Sequence, residues 1–148
     1  MSSTYGSLLC HTVFSTHQRL PQIDSNWRPR LHGLLGRLLL DRGAQPIEIG
    51  GVADHVHILL ALRPTHCLGD LMRALKRDSS RWVHDTIGQH TFAWQTGYSY
   101  FGVCPDGVED LRRYIRDQEA HHRKRSFQEE LIALLTAYGV DYDEQFLW

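Results

Sequence analysis

The chain has 148 residues, 42% hydrophobic and 22% charged, with a formal net charge of -1. That size and balance describe one domain over residues 1–148 with its own core, and argue against a protein that coats nucleic acid indiscriminately. No apolar run approaches the ~18 residues that span a bilayer, and Met1-Ser2-Ser3-Thr4-Tyr5-Gly6 lacks the basic start and apolar core of a secretory signal.

Residues 5–15 read as a buried strand carrying Leu9, Val13 and Phe14. A turn-rich stretch through Pro21, Asn26 and Pro29 leads into a helix over 28–42, with Leu31, Leu34, Leu35, Leu38 and Leu39 at core spacing. Gly43 ends it as a C-terminal cap. Residues 46–52 and 54–62 form two strands of a hairpin that turns near Gly50-Gly51 or Ala53. The clearest amphipathic helix covers 67–85. Leu68, Leu71, Met72, Leu75, Ser79 and Trp82 share one side, and Arg73, Lys76, Arg77, Ser80 and His84 the other, with Arg81 on the flank. A strand over 98–103 precedes a helix over 106–122 opened by Asp106, with Glu109 and Asp110 near its positive end. Ser126 caps a last helix, Glu129 completes a capping box, and Gly139 stops it after Tyr138. The order predicts an α+β fold, a mainly antiparallel sheet with helices packed on it, in the ferredoxin-like (RRM-like) split arrangement.

Cys10, Cys67 and Cys104 are odd in number and widely spaced, so they suit neither a disulfide framework nor a zinc motif. They point to structural thiols in a reducing cytoplasm.

Chemistry concentrates in two places. In Asp54-His55-Val56-His57-Ile58-Leu59-Leu60 a strand turns both imidazoles to one face, which is half of a divalent-metal site. The plain alternative is two polar residues on a solvent face, but the strand runs on into apolar residues. Asp54 is placed to accept from an imidazole and fix its tautomer. In Arg113-Tyr114-Ile115-Arg116-Asp117-Gln118 the four-residue spacing puts the Tyr114 phenol and the Gln118 amide on one helical face. The plain alternative is a packing tyrosine and a solvated glutamine. A phenol attacks phosphorus well only as phenolate, and Arg112, Arg113, Arg116 and a metal would favour that form. Gln118 could be an oxygen ligand beside the two imidazoles, a set better matched to Mn2+ or Mg2+ than to closed tetrahedral zinc. A phosphotyrosine keeps the energy of the broken phosphodiester, so resealing needs no ATP, and the chain carries no Walker loop and no nucleotide cofactor motif.

Arg73, Lys76, Arg77 and Arg81 form a basic helix face that either binds a phosphate backbone or is simply solvated. His121-His122-Arg123-Lys124-Arg125 is a basic turn that either contacts DNA or complements the preceding helix end. Trp94, Tyr98, Tyr100 and Phe101 either stack on unpaired bases or fill the core.

The chain resembles the single-tyrosine HUH transposases of bacterial insertion sequences, including REP-associated tyrosine transposases. The resemblance runs through His11-Thr12-Val13-Phe14-Ser15-Thr16, Asp54-His55-Val56-His57, Leu71-Met72-Arg73-Ala74-Leu75-Lys76 with Ser79-Ser80-Arg81-Trp82, and Phe92-Ala93-Trp94-Gln95. It is most specific from Tyr114 to Glu130. It departs at Gly97-Tyr98-Ser99-Tyr100-Phe101-Gly102-Val103-Cys104, where the family more often has smaller residues. The resemblance implies that Tyr114 is the nucleophile and that His55, His57 and Gln118 hold a divalent ion. It further implies a homodimer in which the tyrosine helix of one subunit can complete the other's site. The substrate it implies is single-stranded DNA with a hairpin, cut and rejoined through a 5′-phosphotyrosine. Arg113 and Arg123 join the basic residues expected on DNA. Two rival readings keep the same fold: a non-catalytic hairpin-binding module, and a phosphodiesterase that uses activated water with Tyr114 only structural.

Overall fold

The computed structural model describes residues 3–147. Met1 and Ser2, part of the segment read for a secretory signal, and Trp148 lie outside the described residues. Four strands, β1 (Leu9–Ser15), β2 (Gln45–Gly51), β3 (His55–Ala61) and β4 (Ser99–Val103), pair antiparallel in the order β2-β3-β1-β4. Helix α1 (Arg28–Asp41) links β1 to β2, and α2 (Leu68–Trp82) links β3 to β4. This is the expected α+β, ferredoxin-like arrangement. Among the described residues no helix is long and apolar enough to cross a membrane.

Strand alternation divides the chain's labour. Cys10 and Phe14 of β1 and Val56, Ile58 and Leu60 of β3 enter one apolar core with Leu31, Leu35 and Leu39 of α1 and Leu71, Met72 and Leu75 of α2. Those helical residues recur at three and four, as a core-facing stripe must. Phe14 and Phe92 both meet the Trp94 ring edge-on, at 4.8 and 4.9 Å between centroids. Residues on the opposite face of the same two strands pair in register, with Val13 across from His57 and Ser15 across from His55.

That second face is covered by the C-terminal third of the chain. The single helix expected over 106–122 is instead three pieces: a 3-10 turn at Pro105–Gly107, α3 (Val108–Arg116) and α4 (Gln118–His122). Asp106 does not cap it: Gly107 stands before α3 and no side chain bonds its first turn. The break falls at Asp117, whose φ of -96 and ψ of 26 leave the helical region. It coincides with the burial of Gln118, whose amide bonds within the fold outweigh local helix propensity. Helix α5 (Phe127–Ala137) follows, with Ser126 accepting from the Glu129 N–H at 3.2 Å. Phe127, Leu131 and Leu135 pack on Val13 and Phe101 as a second, smaller core.

The strand expected from residue 5 starts only at Leu9. Its partners end opposite that residue, at Ala61 and Val103, and Tyr5 and Leu8 are exposed. The hairpin turns over Val52–Asp54, with the Val52 N–H donating to His55 O at 3.2 Å.

Gly50 of β2 lies directly under the end of α3. A Cβ there would stand 2.3 Å from the Ile115 carbonyl oxygen and 2.9 Å from its side chain. Only a hydrogen at this position lets α3 reach the sheet. Gly33, by contrast, is an exposed residue inside α1 with open space where a Cβ would go. Gly50→Ala is therefore expected to cost about 1–3 kcal/mol through forced backbone displacement, while Gly33→Ala should gain about 0.5–1 kcal/mol. Thermal denaturation of both variants checks this; equal melting temperatures would contradict the packing described.

Candidate functional site

β3 delivers His55 and His57 to the second face, both fully buried, with ring centroids 5.1 Å apart. Each ring is held through its Nδ1. Asp54, next in the chain, accepts from the His55 Nδ1–H at 2.7 Å. On β1, His11 places its Nε2 2.8 Å from His57 Nδ1. A neutral imidazole bearing its proton on Nδ1 keeps a lone pair on Nε2. With both rings in that tautomer, both Nε2 lone pairs point toward α4 and α5.

What they meet there is unusual. His55 Nε2 stands 3.1 Å from Gln118 Oε1. The Gln118 orientation is fixed, because its Nε2 donates to the Tyr114 carbonyl at 3.1 Å. In that tautomer the His55 lone pair faces the amide oxygen. His57 Nε2 stands 2.6 Å from Glu130 Oε1, yet the pair is out of line for a hydrogen bond and neither atom has another partner among the described residues. His122 Nε2 fills the gap from the far side, 3.0 Å from Gln118 Oε1 and in close contact with Glu130 Oε2. Ligand atoms of His55, His122 and Glu130 all lie within 4.8 Å of one another. Phe127 stacks on His55 at 4.3 Å between centroids, closing the cluster with hydrocarbon.

Buried polar atoms without a partner, here His57 Nε2 and Glu130 Oε1, are costly unless a cation joins them. A divalent ion suits this set: imidazole nitrogens with amide and carboxylate oxygens are ligands for Mn2+ or Mg2+ rather than for a thiolate-bound metal. Asp54 and His11 act as the outer partners that such imidazoles usually have.

Tyr114 stands on α3 with its ring edge-on to His57, 5.7 Å between centroids, and 4.7 Å from the His121 ring. It lines an open cleft of ≈ 360 Å³ with Asp110, Leu111, Arg125, Glu130 and Leu134. Burial, then a hydrogen bond to the Glu130 carboxylate and that group's charge, hold the phenol well above its ordinary pKa. Burial alone would raise Glu130, but the hydrogen bond from His122 leads the effects that outweigh it and keep the carboxylate well below its usual range. Asp54 is likewise held low by His55, against the effect of its own burial.

The structure thus gathers all four residues singled out in the sequence, His55, His57, Tyr114 and Gln118, within one chain. It adds three that sequence reading did not assign: His11, His122 and Glu130. Glu130 left a trace. It falls on the buried stripe of α5 between Phe127 and Leu131, where a lone carboxylate has no reason to be unless something holds it.

The expected DNA-facing cations are placed less uniformly. Arg73, Arg77 and Arg113 are exposed and pair with Asp70, Asp78 and Asp110 on their own helices. Arg81 and Arg123 are exposed, and Arg123 borders a cleft of ≈ 450 Å³ with Arg28, His32 and Arg116. Lys76 is drawn inward. Its Nζ donates to the Gln95 carbonyl at 3.0 Å and to that of Gly97, beside the Phe14 and Tyr98 rings, and burial lowers its pKa to about 8. Of the aromatics, Trp94 and Phe101 belong to the cores and Tyr100 is exposed.

Three histidines, His11 and His57 buried and His32 half-buried, resist protonation. Burial, followed by the charge of His57, lowers His11 to about 3; burial above all lowers His57 to about 4; burial and then Arg28 lower His32 to about 4. The unfolded chain takes up these protons near about pH 6.5. Between that pH and about 4 it binds more protons than the folded state, so stability rises with pH across the window and is lost on acidification. The melting temperature in chelator should fall steadily from about pH 6.5 to about 4, with a shallower slope for His32→Gln. A flat profile would contradict the buried neutral rings.

Comparison with known proteins places this geometry. The family of IS200-like transposases matches residues 4–118. The transposase of insertion sequence IS200 from Salmonella typhimurium is 25% identical over 114 residues, covering 73% of this chain and 74% of that protein. The Salmonella typhi transposase matches to the same extent. A candidate transposase from Deinococcus radiodurans R1 shares the fold with a TM-score of 0.64 at 21% identity, over 80% of this chain and 95% of that one. A REP-associated tyrosine transposase bound to a REP hairpin superposes with a TM-score of 0.53 at 14% identity, over 78% of this chain and 68% of that one. With most of its length matched, from the first strand to the glutamine of the candidate cation site, the chain belongs to the IS200-like transposase family.

Proposed function

We propose that this transposase cuts and rejoins single-stranded DNA with Tyr114 as nucleophile, in a metal-dependent strand transfer. The observation that carries the reading is the meeting of Tyr114, Gln118 and both β3 imidazoles around the partnerless His57 Nε2 and Glu130 Oε1. The Tyr114 oxygen bonds to phosphorus, the bond from phosphorus to the 3′-oxygen breaks, and the products are a 5′-phosphotyrosine and a free 3′-hydroxyl. Reversal by another 3′-hydroxyl reseals the strand.

His55, His57 and Gln118 would hold a divalent ion, Mg2+ or Mn2+. Such an ion would polarise the scissile phosphate and stabilise its growing charge. The chain's own residues do the rest. Asp54 and His11 set the imidazole tautomers, α3 aims the phenol into the open cleft, and Phe127 keeps water from one side of the cluster. In the state described, Tyr114 keeps its proton against Glu130.

Substrate choice follows the same line. A hairpin-bearing strand is the fitting partner, since one structural neighbour is bound to a REP hairpin. Arg73, Arg77, Arg81, Arg113 and Arg123 would contact phosphates. Exposed ion pairs contribute about 0–1 kcal/mol, so Arg73, Arg77 and Arg113 can trade theirs cheaply. Lys76 would act by shaping the segment at Gln95–Gly97 rather than by free charge. We further propose a homodimer working in the cytoplasm, where the free Cys10, Cys67 and Cys104 stay reduced.

Tyr114→Phe should remove the covalent protein–DNA species by about a thousandfold or more while leaving hairpin binding intact. A denaturing gel of labelled single-stranded DNA with Mn2+ reads this out. An undiminished adduct would overturn the assignment, and cleavage with free ends and no adduct would favour activated water. Asp54→Asn and His11→Asn should each weaken Mn2+ binding about 10–100-fold, measured by titration calorimetry; unchanged affinity would remove their orienting role.

A further inference from the structure

α5 lies beyond the residues that the family match covers, 4–118, yet it sends a carboxylate into the middle of the candidate cation site. Glu130 is 3% exposed. A carboxylate buried that far needs either a full set of donors or a cation. It has neither in full. Oε2 meets His122, but Oε1 has no aligned donor, and the nearest polar atom is His57 Nε2 at 2.6 Å, itself without a partner among the described residues. The same carboxylate borders the cleft that the Tyr114 phenol lines.

A structural ion pair with His122 alone would account for Oε2 and leave Oε1 stranded. A packing role would be better served by leucine, which the neighbouring stripe positions Leu131 and Leu135 already supply. The polar atoms left over, Glu130 Oε1 and His57 Nε2, lie side by side, and His55 Nε2 with Gln118 Oε1 stands close by, joined through His122 Nε2 at 3.0 Å from the amide oxygen.

We propose that Glu130 is a further ligand of the divalent ion, joining His55, His57 and Gln118, so that the ion is clasped between the sheet and α5. This rests on the reading of His55, His57 and Gln118 as the cation site. A carboxylate in that set would halve the net charge of a divalent centre and strengthen its preference for hard, oxygen-seeking cations. It would also couple ion binding to the nucleophile, because the carboxylate given over to the ion borders the same cleft as the Tyr114 phenol.

The test is Mn2+ binding to the intact chain by titration calorimetry, without DNA. Glu130→Gln keeps the shape and removes the charge. Its Mn2+ affinity should fall about tenfold or more, while Glu129→Gln, one residue away and exposed, should bind as the parent does. His55→Ala distinguishes failure of the Glu130 assignment from failure of the cation site. If His55→Ala loses Mn2+ but Glu130→Gln keeps it, the carboxylate assignment is wrong and the cation site stands. If both keep full affinity, the cation site itself is wrong. Should Glu130→Gln fail to fold, infrared difference spectra of the unaltered protein decide. Adding Mn2+ should shift the carboxylate bands of protein labelled with 13C at its glutamate side chains; no shift would overturn the proposal.

Discussion

Two imidazoles fastened by the same atom, Nδ1, are the constraint on which the rest of this structure turns. Asp54 fastens one and His11 the other. Fastening at Nδ1 settles where the remaining nitrogen points, and so where any cation must lie. It also explains why polar groups sit in the centre of a face that apolar residues cover on both sides, with Phe127 stacked on His55 and Val13 and Phe101 packed beside them. The desolvation of so many nitrogens and oxygens is tolerable because most of them have partners within the cluster.

The fold supplies this arrangement by geometry rather than by proximity in sequence. β1 and β3 are neighbours in the sheet though well separated along the chain, and their register sets His11 and His57 on the same face. Gly50 lets α3 settle on β2, which in turn sets the distance from Tyr114 to His57. The absence of a side chain at one position on an outer strand is therefore as much a part of the site as the side chains at its centre.

Much of this is legible in the residues alone. Period-two alternation in Asp54–Leu60 and the three-and-four spacing of Leu68–Trp82 are strong local signals, and both elements form with the expected faces buried. Tyr114 and Gln118 do not share one helical face as their spacing predicts, because the helix breaks at Asp117, but the Gln118 amide still donates to the Tyr114 carbonyl. What local pattern cannot carry is long-range. His11 is an ordinary strand residue until β3 is laid beside it. His122 reads as part of a basic turn until α5 folds back over it. Glu130 reads as one of two adjacent acids in a first helical turn until its position on the apolar stripe is noticed. Lys76 shows the converse: its spacing gives a cationic surface, and only tertiary packing reveals that two carbonyl oxygens have claimed the ammonium.

The shared sheet also ties durability to chemistry. Val56 and His57 are consecutive, but one sits among Phe14 and Leu60 and the other beside Glu130. Sliding β3 by a single residue against β1 would exchange the two sets completely. Nitrogens would enter the oily side and branched aliphatics would take the place of the paired imidazoles. A mispaired sheet would therefore lose its core and its polar cluster together, so folding stability also guards the arrangement around His55 and His57.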